Sequence, residues 1–227
     1  MAFRAMIDKV HTYFAPEKKQ SPNPYVFYAC ATVGAIAFVA AGVGGYRWYR
    51  TYQEQKAQEV FSSCMREYER AEQDPTLWPN AELVFRLALE QNPNATLTPS
   101  LLAFQAEALL HMNKPEQALA CMKQAVAMMP PSSLLLNLYT TKCALMMMDS
   151  SDAAIQQEGL TSLTTLAYNK ANSSRDMALY FLGLYHWSHD TLDKARDTWS
   201  ELLPLAAAEP ASPWAQRAVA KLEQIGV

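Results

Sequence analysis

One spacing that recurs constrains this chain more than any other feature. Ala81, Phe85, Ala88 and Pro93 stand 4, 3 and 5 residues apart, and Ala118, Met122, Ala125 and Pro130 repeat those steps 37 residues later. Self-similarity at such a period marks stacked units, none of which can bury its apolar face alone. The steps are helical: two small residues on one face admit a neighbouring helix closely, the large residue between them fills the gap, and Pro ends the helix. Upstream of the second set, Leu102, Ala106 and Leu109 form the facing stripe of a partner helix, with Asn113-Lys114-Pro115 as the turn. Each unit therefore reads as a helical hairpin.

A third unit follows near the end. Leu179, Leu182 and Gly183 precede a turn at Asp190-Thr191, and Ala195, Trp199 and Leu202 resume the 4 and 3 spacing. Gly183 stands twelve residues before Ala195, as Ala106 stands twelve before Ala118. Between these units, Leu134 to Met148 and Gly159 to Leu166 read as a longer hairpin, extended around Asp149-Ser150-Ser151-Asp152, with Gly159, Leu163 and Leu166 in register. Pro213 opens a last helix through Ile225 that would cap the stack. Composition agrees: after Gly45 the only glycines are Gly159, Gly183 and Gly226, too few for sheet turns or a phosphate-cradling loop, while strong helix formers abound. The predicted fold class is all-α.

The second constraint is an uncharged run of 22 residues from Tyr25 to Tyr46, about 33 Å long as a helix. That length crosses a bilayer. Tyr25, Phe27 and Tyr28 at one end and Tyr46, Trp48 and Tyr49 at the other place amphipathic rings where headgroups would lie. A cleaved signal peptide is the rival reading, but its apolar core is shorter and ends at small residues, whereas this run continues into Tyr46-Arg47-Trp48. Small residues recur four apart, Ala31 with Ala35 and Ala37 with Ala41 and Gly45, spacings that admit a second membrane helix. Basic residues are balanced four against four across the span, so charge alone does not set its direction; the reading adopted is N-inside. Ahead of it, Phe3, Met6, Ile7, Val10 and Phe14 fit either a surface-lying amphipathic helix or a solvated tail, followed by a linker with Pro16, Pro22 and Pro24. The domains so defined are residues 1–24, a transmembrane helix over 25–46, and a soluble repeat domain over 47–227.

The hairpins resemble the tetratricopeptide repeat, with departures: Gln105 replaces the usual Leu, His186 stands at the Tyr position, and Ala207 replaces the closing Pro of the third unit. The whole layout resembles the membrane-anchored, tetratricopeptide-like ancillary subunit of the bacterial Sec translocon, of the YfgM type. Gly45-Tyr46-Arg47-Trp48-Tyr49 is similar to that family's Gly-Trp-Arg-Tyr-Trp at the membrane exit, and Ala195-Arg196 with Trp199 to its Ala-Arg-x-x-Trp. A polar helix such as Gln53 to Arg70 then several hairpins complete the likeness. The resemblance implies an inner-membrane protein with its C-terminal domain in the periplasm, associated with SecYEG and with periplasmic folding factors such as PpiD, and acting on client proteins.

Stacked hairpins present a groove for peptides or partner helices, which makes binding the expected function. In the last hairpin Met177, Tyr180, Leu184 and Trp187 form an apolar stripe apart from the packing residues; either a client or a neighbouring helix would cover it. Met148, Glu107, Leu110 and His111 complete the candidate groove. From residue 51 onward 13 Lys and Arg face 20 Asp and Glu, a balance of −7 that disfavours nucleic acid and anionic lipid surfaces. The eight Met between Met112 and Met177 read as flexible packing rather than a copper array. His186 and His189 share a face with no further ligand in place, so no metal or other cofactor is expected. Cys30 falls in the span; Cys121 and Cys143 could pair in an oxidising compartment, but buried thiols are the preferred reading. No nucleophile, base and orienting acid occur in a recognisable pattern, and the expectation is a binding protein, not an enzyme. The alternative is a membrane-tethered scaffold for another complex, its domain in the cytoplasm or an organelle matrix.

Overall fold

The computed structural model describes residues 24–91 and 96–226, and only the backbone of residues 24–31, 35 and 36. Pro93, the stretch over residues 3–14, Pro16 and Pro22 lie outside the described residues, as do the side chains of Tyr25, Cys30, Ala31 and Ala35. Among the described residues every regular element is helical: α1 Pro24–Gln73, α2 Trp78–Gln91, α3 Thr98–His111, α4 Pro115–Met128, α5 Leu136–Met148, α6 Ala153–Tyr168, α7 Arg175–Ser188, α8 Leu192–Ser200, the short α9 Leu203–Ala206, and α10 Pro213–Gln224. The chain divides into two units after Tyr52.

In the first unit the described side chains of α1 are exposed, including Val33, Phe38, Val39, Val43, Tyr46 and Trp48. A Cβ placed at Gly34, Gly42, Gly44 or Gly45 would meet no atom within 4 Å. Among the described residues no helix is long and apolar enough to cross a membrane. Much of the apolar character of residues 25–46 comes from side chains outside that set.

In the second unit, Gln53–Val227, consecutive helices from α2 to α8 pack on their neighbours, and α10 lies on α7, α8 and α9. The stretch from Gln53 to Arg70, read from sequence as polar, is amphipathic. Ala57, Cys64 and Ala71 are buried, and Val60, Phe61 and Tyr68 sit half-buried along one stripe. These residues recur every three or four positions, which places them on one helical face. The interface they make is aromatic: Tyr68 meets Trp78, Phe85 and Phe104 edge-on, at ring centroid distances of 5.3, 6.4 and 5.3 Å. This segment serves as the first helix of the opening hairpin, with α2 as its partner.

The packing positions read from the repeat are core. Ala81, Phe85, Ala106, Ala118, Ala125, Ala195 and Trp199 are fully buried, with Met122, Ala88 and Gly183 beside them. Turn geometry repeats too. Asn113 and Asp190, each five residues before the first small packing residue of its second helix, Ala118 and Ala195, adopt left-handed backbone with φ of 58° and 54°. These short polar side chains tolerate that conformation best after Gly. Beyond each, an amide reaches back five residues, Lys114 to Leu109 at 3.0 Å and Thr191 to His186 at 3.0 Å, and closes the preceding helix. The middle hairpin differs. Asp152 caps α6 by accepting from the Ala154 amide at 2.8 Å, and α6 begins at Ala153, well before Gly159. Its third packing position is Ala167, fully buried, with Leu166 only partly so. The third unit, with Ala207 at the closing-Pro position, continues through α9, which has Pro204 in its first turn, to a loop, and Ser212 caps α10.

Candidate partner-binding groove

The expected stripe on α7 divides in two. Met177 and Tyr180 are buried, not open, which corrects their assignment to a groove. For Tyr180 the cause is α10: the Trp214 ring lies 5.5 Å from Tyr180 and 5.3 Å from Phe181, between centroids. Leu184 and Trp187 remain partly exposed. With Met148 they line a groove of about 920 Å³ between the α5–α6 hairpin and α7. Lys221 of α10 sits 4.2 Å over the Trp187 ring, so α10 steadies that residue.

The floor gains Leu145 from α5, Leu160 from α6 and Phe181 from α7, and the rim holds Asp149, Gln156, Gln157, Tyr185, Ser188 and His189. Sequence reasoning missed Leu145, Leu160, Phe181 and Tyr185. The signal existed in part: Phe181 and Tyr185, four residues apart, each stand one position after a member of the chosen stripe, Tyr180 and Leu184. Volume and lining suit a peptide side chain cluster or one turn of a helix.

The remaining candidates lie elsewhere. Glu107 is engaged between helices, accepting from the Tyr68 hydroxyl at 2.9 Å and pairing closely with Lys142. The Glu107 carboxylate links α1, α3 and α5, which makes it a tie and not a free groove residue. Burial first, and then the adjacent Glu107 charge, push the Tyr68 phenol well above its ordinary range. His111 stacks flat on Trp78, centroids 4.0 Å apart and planes within 4°, beside Glu72. Leu110 is exposed on α3 and does not line the main groove. Of the anchor candidates, Tyr46 and Trp48 are exposed on α1, and Trp48 stacks on Tyr52 at 6.2 Å.

The histidines go separate ways. His189 Nδ1 lies 2.9 Å from the Tyr185 carbonyl, whereas His186 Nδ1 faces Thr191. Burial, with Lys194 and His189 nearby, lowers the His186 pKa. Among the described residues no cluster of three His, Cys, Asp or Glu side chains forms a metal site. Cys64, Cys121 and Cys143 are free thiols, each with its pKa raised chiefly by burial. No protein-family model matches the chain, and no curated protein matches it.

Proposed function

We propose that this protein is a bilayer-anchored binding module that holds or passes client polypeptides beside the Sec translocon. The observation that carries the binding role is the groove between the α5–α6 hairpin and α7, where Leu145, Met148, Leu160, Phe181, Leu184 and Trp187 leave apolar surface uncovered. Apolar surface left open and rimmed by polar groups marks an interaction site. The exposed apolar side chains of α1 support an anchor over residues 25–46, and the small residues Ala31, Ala35 and Gly45 in its sequence suit close approach by a second membrane helix. In this reading the N-terminus is cytoplasmic, the hairpin domain periplasmic, and SecYEG and a chaperone such as PpiD are the partners, a choice that rests on the resemblance at Gly45–Tyr49 and Ala195–Trp199. A tether raises the local concentration of clients, so weak groove contacts suffice.

Photo-crosslinkers at Leu184 and Ala35 in living cells test the proposal. Client adducts from Leu184 and translocon adducts from Ala35 are the expected result. Absence of any translocon component at both positions would remove the Sec association.

A further inference from the structure

The groove's rim carries a charge pattern that narrows its occupant. Asp149 is the only Asp, Glu, Lys or Arg among the lining residues. It is exposed, and its carboxylate makes no hydrogen bond or ion pair among the described residues, in contrast to Asp152 next door, which caps α6. Asp149 also follows the last turn of α5, and Ser188 and His189 close α7 on the same rim, so two helix C-termini, the negative ends of their dipoles, border this space. Asp149 also borders a second, smaller pocket of about 350 Å³, lined by Leu119, Met146 and Ile155 together with the charged Glu116 and Lys123, the latter paired with Glu158. A cation placed on Asp149 therefore meets the apolar floor on the groove side, where no Lys or Arg competes for the carboxylate. Lys221, held over Trp187, does not line the groove.

Resting on the binding role proposed above, we infer that the groove selects apolar peptide segments carrying a Lys or Arg between bulky residues, with the cation seated on Asp149. The apolar floor supplies affinity and the lone carboxylate supplies selection; a partly exposed pair of this kind discriminates modestly and fades with salt. The acidic balance of the chain after residue 50 acts in the same direction.

The full chain in detergent micelles, titrated with fluorescein-labelled 12-residue peptides of Leu and Phe bearing a central Lys or a central Glu, tests the inference by anisotropy. The Lys peptide is expected to bind about tenfold tighter at low salt, Asp149→Asn to bring the two within about twofold, and Asp149→Lys to invert the order. Leu184→Asp is expected to weaken both peptides. Equal binding of both peptides by the native chain, unaltered by Asp149→Asn but lost in Leu184→Asp, overturns the charge selection and leaves the groove standing. Binding of neither peptide, or binding indifferent to Leu184→Asp, overturns the groove reading itself.

Discussion

Gly183 sets how closely α7 and α8 approach. The Trp199 indole lies over it, with Nε1 donating to the Tyr180 carbonyl at 3.0 Å, and a Cβ at Gly183 would fall 2.2 Å from that nitrogen. Trp199 is fully buried, so the ring has nowhere to retreat. Gly183→Ala is expected to cost about 3 kcal/mol, combining overpacking with a weakened hydrogen bond, and urea denaturation would measure it. A neutral result would mean that α8 can shift freely. At Tyr68, removal of the hydroxyl in Tyr68→Phe deprives Glu107 of one donor but leaves Lys142, a loss of about 1 kcal/mol. The pH dependence has a definite sign. Because the folded phenol holds its proton above the unfolded value of about 10, the stability linked to it is present below that pH and lost as pH rises past it. Thermal melts from pH 8 to 11 should show a steeper fall for the native chain than for Tyr68→Phe.

Helices differ in how far their neighbours could be read in advance. The spacing of Ala118, Met122 and Ala125 names a packed face directly, because a small-large-small pattern has little use on an open surface. For α7 the period identified which residues share a face but not what lies against it, and α10, over a hundred residues from the first repeat, decides that Tyr180 is covered and Leu184 is not. Glu107 and His111 were misplaced for a related reason: their partners, Tyr68, Lys142 and Trp78, stand 33 to 39 residues away. The polar composition of Gln53–Arg70 concealed its narrow buried stripe, since its buried members Ala57 and Cys64 are small and outnumbered by polar neighbours. Leu222, buried in α10 among Ala215 and Ala218, tests the cap. Leu222→Asp should unseat α10 at a cost of about 3 kcal/mol or more, expose Tyr180 and Trp214, and open a protease-sensitive site near residue 212 while α2 to α6 stay protected.

The whole molecule joins two kinds of apolar surface, one exposed along α1 and one gathered in the groove. Their separate locations were legible, the first as an uncharged run and the second only as a hairpin stack that ought to contain a groove. Thiol labelling decides the side on which the repeat domain lies. Cys64 is fully buried and unsuited to it, so the label belongs at exposed Ser151. In spheroplasts, a membrane-impermeant maleimide should modify Ser151→Cys far more than the native chain; protection until lysis would place the domain inside. Alkaline carbonate extraction of membranes holding the full-length chain decides whether a single bilayer tether carries the protein-binding repeat. The chain is expected to remain in the pellet, and a version lacking residues 25–46 to wash off; recovery of the full-length chain in the supernatant would contradict the tether.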